Sequence, residues 1–162
     1  MNGITAREKL VTDMDEIIKI LDNSKVVHVG MIDGNEPYVV PMNYGYTLTD
    51  GKLTLWLHCA KRGRKLDVLR ANNKVFFEIE CGLQPFDGDI ACRYGISYSS
   101  IMGRGTAEIV DDVEVKKEAL TYLMKTQTGK DFEFEDKMAS IVSIIKIDTA
   151  EFTAKHRPVP QN

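Results

Sequence analysis

The residues best suited to chemistry cluster in one short stretch, from His58 to Lys65, with the sequence HCAKRGRK. Four cations surround a single glycine, Gly63, where a strand-like pattern gives way to a helical one. Cations at a helix N-terminus oppose the helix dipole, whereas a bound phosphate would satisfy both the helix N–H groups and the cations. Charge alone does not require a ligand, because runs of charge usually form solvated surface. A phosphate site and a solvated basic turn both fit this stretch.

His58 and Cys59 are neighbours on a predicted strand, so their side chains point to opposite faces. This argues against a Cys–His nucleophilic pair. We interpret Cys59 as a packing residue, because free cysteine usually behaves as a small buried apolar side chain. His58 shares a face with Trp56, and a single strand histidine is more often structural than functional; we interpret His28 in the same way.

Pro41 lies in the middle of another strand-like segment, VVPMNYGY. Proline has no N–H to donate, so this strand must lie at a sheet edge or be bulged there. Either arrangement releases backbone groups near Met42 and Asn43, and these could hydrogen-bond the polar edge of a planar heterocycle. An ordinary barrel-edge strand explains the same residues.

Several familiar motifs are absent. Gly103-Arg104-Gly105 lacks the third glycine of a dinucleotide-binding fingerprint, and the chain has no P-loop, zinc-protease or serine-hydrolase motif. Some carboxylates lie near one loop without histidine partners, so we interpret them as solvated and predict no metal site. These carboxylates are Glu78, Glu80, Asp87 and Asp89.

The composition is that of a soluble globular domain. The 162 residues are 43% hydrophobic and 28% charged, close to average usage. The net charge of −3 argues against bulk binding to nucleic acid or an anionic membrane. Three cysteines without CxxC spacing argue against a disulfide scaffold. Because neither a signal peptide nor a transmembrane segment is evident, we expect a cytoplasmic protein.

Hydrophobic periodicity predicts six strands, over residues 25–32, 36–49, 52–59, 74–81, 98–110 and 141–153. Helices are predicted over 12–23, 61–72, 113–128 and 133–139. Two Asp-Gly turns join the first three strands and predict an antiparallel meander. Gly103 and Gly105 predict a bulge. Residues 82–95 are predicted to form a loop, and the residues after Phe152 a tail or partner-contacting arm.

Six strands with short turns favour a mainly β fold, a six-stranded antiparallel barrel with peripheral α-helices. We expect a single domain over residues 1–162, with its core at about 12–155.

Four segments together resemble the flavin-binding split-barrel proteins, the superfamily named after pyridoxamine 5′-phosphate oxidase. They are VPMNYGY, LWLHCAKRGRK, LDVLRANNKVFFEIE and YSSIMGRGTAEIV. The HxAxxGxK stretch of the 5-nitroimidazole reductase branch is matched by His58, Ala60, Gly63 and Lys65. The resemblance extends over about residues 5–155. It implies a Greek-key split barrel and a homodimer that holds FMN in a cleft between subunits.

The resemblance also implies which residues contact FMN. The backbone of Val40, Pro41, Met42, Asn43 and Tyr44 would line the isoalloxazine ring. His58, Cys59 and Ala60 would lie along the ring and ribityl chain, Gly63 would let the phosphate approach, Arg64 and Lys65 would pair with it, and Ser100 would lie near the flavin. His58 is the implied catalytic residue, as a proton donor or a ring-stacking group.

The function that follows is an FMN-dependent oxidoreductase. It would pass electrons from a reduced nicotinamide or another donor to a small aromatic or nitro-type acceptor. The C-terminus does not match the substrate-binding pattern of the oxidase, which argues against vitamin B6 oxidation. A flavin- or haem-binding storage or sensing protein without turnover is the alternative. A cofactor-free barrel whose basic turn binds a phosphorylated partner or nucleic acid is a third hypothesis, and the net charge of −3 argues against it.

Overall fold

A computed structural model describes residues 8–160 of the chain. The helices and strands follow the chain in this order: β1 Lys9–Val11, α1 Met14–Asn23, β2 Val27–Asp33, β3 Glu36–Met42, β4 Tyr44–Thr49, β5 Lys52–Cys59, α2 Arg64–Ala71, β6 Lys74–Phe86, β7 Gly95–Val110, α3 Val113–Thr128, α4 Asp136–Ser140 and β8 Ser143–Arg157. A short 3₁₀ turn, Ala91–Arg93, lies between β6 and β7.

The strands form one antiparallel sheet in the order β3-β2-β6-β7-β8-β5-β4, with β1 paired to β8. The two outermost strands, β3 and β4, are joined through Asn43 alone. In a flat sheet, six strand spacings would separate them by roughly 29 Å, whereas two residue steps span at most about 7 Å. The sheet must therefore curl until its edges meet, which makes it a barrel.

The predicted fold class is confirmed: the chain is mainly β, an antiparallel barrel with helices at its periphery. The structure has eight strands in the described residues rather than six. The strand predicted over 36–49 is broken at Asn43 into β3 and β4, and the short β1 was not predicted. Three residues are too few to show a reliable alternation, which is why β1 escaped the sequence pattern.

The barrel interior is apolar and is covered by two helices. Val27, Val29, Leu55, Phe77 and Ile147 are among its buried side chains. Ile17 and Leu21 of α1 and Leu66 and Leu69 of α2 belong to the same cluster. Helices α1 and α2 therefore cover the barrel core and complete its burial.

A second apolar cluster lies on the outer wall, where α3 and α4 cover strands β5, β7 and β8. Trp56, Val110 and Ile144 of the strands pack there against Ala119 and Leu120 of α3. The outer faces of β2, β3, β6 and the first part of β7 have no such helix over them within residues 8–160, and they leave large apolar side chains in solvent. Those side chains are Ile32, Val39, Phe76 and Met102, which are 44%, 59%, 46% and 36% exposed.

Three predictions about connectivity were wrong. The first three predicted strands do not form a meander, because β4 pairs with β5 and not with β3. The predicted loop over 82–95 is shorter, confined to residues 87–94, since β6 runs to Phe86 and β7 begins at Gly95. The predicted tail after Phe152 continues β8 to Arg157 and pairs with β7. These segments are polar or contain glycine, so their sequence does not predict strands. They become strands because neighbouring strands pair with them.

Other local predictions are confirmed. Strand β5 and helix α3 have the predicted limits, and Gly129 ends α3 in the left-handed conformation. The β7–β8 register shifts between Arg104 and Gly105, as the two glycines predicted. Pro41 lies in β3, at the edge of the hydrogen-bonded order. No helix in the part of the chain described is both long and apolar enough to cross a bilayer.

Gly45 is required where β4 passes beneath α3. A methyl group added at Gly45 would collide with the backbone of Leu123. We expect Gly45→Ala to lower the free energy of unfolding by about 1–3 kcal/mol, the usual cost of overpacking. Urea unfolding followed by circular dichroism measures it. Gly30→Ala is the matched control, because its added carbon meets a carbonyl oxygen of Phe76 at 3.3 Å and calls for only a slight adjustment. Equal stability of both variants would contradict the close β4–α3 packing.

Candidate functional site

The basic turn connects the end of β5 to the start of α2. Gly63 precedes the helix with φ 150° and ψ 159°, a conformation that favours glycine. No side chain in the described region caps this helix end, and a methyl group on Gly63 would meet nothing within 4 Å. The first N–H groups of α2 therefore face open space, where they can bind an anion.

Four cations surround that helix end, and only one of them has a carboxylate partner in the described residues. Arg64 Nε lies 2.7 Å from Asp33 Oδ2, and its guanidinium lies over the Tyr38 ring, 4.4 Å from the centroid. Lys65 is half-buried, and Lys61 and Arg62 are exposed. The turn thus keeps an excess of positive charge, while Asp33 and Tyr38 fix the direction of Arg64. Sequence reasoning missed both residues, because the β2–β3 turn is distant from α2 along the chain.

Cys59 belongs to the inward-facing row of β5 and packs against the barrel core. Burial raises the pKa of its thiol, and the nearby ammonium of Lys65 acts in the opposite direction to a smaller extent. A raised pKa keeps the thiol protonated at neutral pH, where it is a poor nucleophile. Its side chain therefore packs, and only its backbone is left for contact with a ligand.

His58 points to the opposite, outer face of β5, beside Ile144 of β8. It is exposed, and no polar side chain of residues 8–160 is hydrogen-bonded to it. Ala60, the next residue but one, is exposed in the turn itself. An exposed imidazole at the entrance to a cationic turn is available to a ligand whose anionic group occupies that turn.

The segment from Val40 to Tyr44 includes the crossing between the two sheet edges. Val40 and Met42 point inward and are half-buried, whereas Pro41 is exposed on the outer face. Asn43 Nδ2 donates to the Lys25 carbonyl at 3.1 Å. The outer side of Pro41 and the free edge of β3 are the accessible parts of this segment.

Tyr44 is fully buried, and its hydroxyl donates to the carbonyl of Leu21 at 2.7 Å. Burial raises the pKa of this phenol above its ordinary range. The ring therefore belongs to the core. Its own carbonyl already accepts a hydrogen bond from Gln127 Nε2 at 2.8 Å.

Ser100 lies on β7, between Glu80 of β6 and Lys155 of β8, and is almost fully buried. His58 is level with Val110 of β7, because both are in register with Ile144. Ten residues at about 3.3 Å each put Ser100 roughly 33 Å from that level along the strand. One copy of the chain therefore does not bring Ser100 and His58 to the same small molecule.

His28 does not lie in the barrel core. It faces outward between Pro41 and Glu78 on the neighbouring strands, and its Nδ1 is 3.3 Å from Glu78 Oε2. Burial raises the pKa of the Glu78 carboxyl, as does the adjacent Glu80 to a smaller extent, while His28 opposes the shift. The pair thus places two titratable groups next to Pro41. The even alternation of β2 put His28 on the face opposite Val27 and Val29, but the partner strand could not be read from the sequence.

A family model described as pyridoxamine 5′-phosphate oxidase matches residues 13–156. No curated protein matches the chain significantly. A crystal structure from Bacteroides thetaiotaomicron, described as a candidate 5-nitroimidazole antibiotic resistance protein, is 31% identical with a TM-score of 0.77. The match covers 92% of this chain and 87% of that one.

Two more distant solved structures share the fold. A flavocytochrome from Azotobacter vinelandii is 21% identical, with a TM-score of 0.73 over 93% of this chain and 70% of that one. An FAD- and haem-binding protein from Mycobacterium smegmatis is 16% identical, with a TM-score of 0.77 over 95% and 76%.

The three cysteines should differ in reactivity. Cys92 is exposed, whereas burial raises the pKa of Cys59 and of Cys81. At pH 8 we expect one thiol to react rapidly with a chromogenic disulfide reagent and two to react slowly. Cys92→Ser should remove the fast phase and leave the slow ones unchanged. A fast phase that disappears instead in Cys59→Ser would show that Cys59 is an activated thiol.

Proposed function

The chain belongs to the pyridoxamine 5′-phosphate oxidase family, and on that premise we propose that it is an FMN-dependent oxidoreductase. The flavin would lie in a cleft between two copies of the chain. It would receive electrons from a reduced nicotinamide or another donor and pass them to a small aromatic or nitro-type acceptor.

The observation that carries this proposal is the uncapped start of α2 with its excess of cations. The exposed N–H groups of Arg64 and Lys65, their side chains and the open space beside Gly63 fit a phosphate monoester. A phosphate would remove the unfavourable opposition between these cations and the helix dipole. FMN carries such a group, so the residues present fit this cofactor.

The remaining assignments give each residue a role toward the bound flavin. Lys65 and Arg64 hold the phosphate, with Arg64 directed by Asp33. The backbone beside Pro41 and Asn43 borders the ring. When bound, the flavin supplies the electron-transfer chemistry, and the protein supplies orientation and a site shielded from water.

His58 is assigned to proton donation or ring stacking, since its imidazole is exposed beside the turn and lacks a polar partner in the described region. Tyr44 takes part through its backbone only, because its ring and hydroxyl are committed to the core. Cys59 contributes its backbone for the same reason.

A second copy of the chain would complete the cleft. Ser100 and His58 are too far apart along β7 to meet one flavin within one copy. In the dimer we propose, Ser100 of one copy would face His58 of the other, since contacts across a two-fold interface are reciprocal and such a pair would occur twice. The bare outer face with Ile32, Val39 and Phe76 is an apolar surface suited to such an interface.

The acceptor class is supported by the relative from Bacteroides thetaiotaomicron, whose description names 5-nitroimidazole resistance. The two more distant structures are described as a flavocytochrome and as an FAD- and haem-binding protein. They favour a second candidate function, a flavin- or haem-binding storage or sensing protein without turnover.

The absorption spectrum of the purified protein tests the cofactor and separates the two functions. We expect the two-band spectrum of an oxidised flavin and, after heat release, about one FMN per chain by mass spectrometry. Anaerobic NADH or NADPH should bleach it, and a 5-nitroimidazole should restore the colour. A haem band, or a flavin that neither donor reduces, would favour the storage or sensing function. A colourless protein that takes up neither cofactor would refute both.

Replacing Lys65 tests the phosphate site. We expect Lys65→Met to weaken FMN binding about 10- to 100-fold, since a hydrogen bond to a charged group contributes about 1.5–3 kcal/mol. Quenching of flavin fluorescence measures the affinity. Arg70→Met, in the same helix, removes the same charge from a side chain that pairs with Asp67. It should bind FMN nearly as well as the natural chain. Equal losses in both variants would mean that only the overall charge matters.

Replacing His58 tests its catalytic role. We expect His58→Ala to retain FMN and the unfolding temperature of the natural chain, because the side chain is exposed, but to lose most turnover of a nitro substrate. Stopped-flow measurement of flavin reoxidation separates this loss from slower reduction. Loss of FMN with an intact fold would instead make His58 a cofactor ligand only.

A further inference from the structure

A cavity of about 980 Å³ lies at the start of β7, between the β6–β7 connection and the end of the described chain. Its volume is at the upper end of the range typical of small-molecule sites. Its lining includes Phe86, Asp87, Asp89, Arg93, Tyr94 and Arg157. None of these residues belongs to the turn or the strand segment assigned to FMN.

Arg157 is the unusual group in this cavity. It is half-buried at the end of β8, and no carboxylate of residues 8–160 lies within 4.0 Å of its guanidinium. The guanidinium lies over the ring of Phe86, with its central carbon 5.5 Å from the centroid. Gly95 makes room for it, because a methyl group there would lie 2.7 Å from a guanidinium nitrogen and 2.6 Å from the Phe86 ring. The cation is thus held against an aromatic surface, and no carboxylate of residues 8–160 pairs with it.

The other charged side chains that line the cavity form no ion pair with Arg157 in residues 8–160. Arg93 and Asp89 form their own pair at 3.0 Å and are both largely exposed. Asp87 is exposed and forms no ion pair with any residue that the structure describes. Among the charged groups of this cavity in residues 8–160, Arg157 is the one that is half-buried and has no ion-pair partner within the same range.

A guanidinium fixed in this way matches a carboxylate, which it binds through two parallel hydrogen bonds. The ring of Tyr94 and the side chains of Pro158 and Val159 provide apolar lining nearby. We propose that this cavity binds small aromatic carboxylates, with the carboxylate on Arg157 and the ring among these side chains. The proposal requires neither bound FMN nor a second copy of the chain, although the cavity lies at the end of β7 that also carries Ser100.

Benzoate and its neutral isostere benzamide are suitable probes, with binding to the full chain measured by titration calorimetry or ligand-observed NMR. We expect saturable binding of benzoate with a Kd of roughly 1 mM or tighter, and binding of benzamide at least about tenfold weaker. Arg157→Met should weaken benzoate binding by about tenfold or more, and Arg157→Lys by less, because lysine keeps the charge but not the paired donors.

Two further variants make the result specific. Arg93→Met removes a cation from the same cavity that already has a partner, so benzoate affinity should stay nearly unchanged. Phe86→Leu keeps an apolar side chain but removes the stacking surface, and it should weaken benzoate binding while Arg157 is present. Circular dichroism checks that each variant is folded. Equal affinity for benzamide and benzoate, no saturable benzoate binding, or unchanged affinity in a folded Arg157→Met variant would overturn the proposal.

Discussion

The crossing at Asn43 is the constraint on which the rest of this structure depends. It links the two edge strands of the sheet with one residue, which is too short to span a flat sheet, so the sheet must close into a barrel. The crossing is held from both sides: Asn43 donates to the carbonyl of Lys25, and Gln127 of α3 donates to the carbonyls of Lys25 and Tyr44. Helix α3 is thereby tied to the point where the barrel closes.

Closure also decides where the chemical groups meet. The basic turn leaves β5, yet α2 packs into the barrel core, and this brings Arg64 to Asp33 and Tyr38 at the β2–β3 hairpin. The uncapped helix end and its cations therefore lie beside the hairpin that carries the edge strand with Pro41. A single anionic ligand at the turn could extend along that strand, which is the geometry that a nucleotide-like cofactor requires.

The two halves of the outer wall differ because only one has a helical cover. Helices α3 and α4 bury Trp56 and Ile144 on one side, whereas Val39 and Phe76 on the other remain in solvent. The same bare wall carries the His28–Glu78 pair beside Pro41. An apolar surface around titratable groups is costly to leave in water, and a second copy of the chain would cover it. The proposed cofactor site and the proposed interface thus depend on the same arrangement of strands that closes the barrel.

Much of this protein follows from local sequence. The alternation in β5 determined that Cys59 packs inward and that His58 faces outward, and the periodicity of α3 with Gly129 determined that helix and its end. The bulge near Gly105 and the edge position of Pro41 likewise follow from residue type, because glycine and proline restrict the backbone wherever they occur. The resemblance to split-barrel proteins supported the predicted barrel and identified FMN phosphate as a candidate ligand for the basic turn.

Pairings between distant segments needed the tertiary structure. The split of residues 36–49 at Asn43, the contact of Arg64 with Asp33, the extension of β8 to Arg157 and the distance between Ser100 and His58 depend on which strands become neighbours. The alternation within a strand does not indicate which other strand it pairs with. Strand pairing is therefore known only from the folded chain.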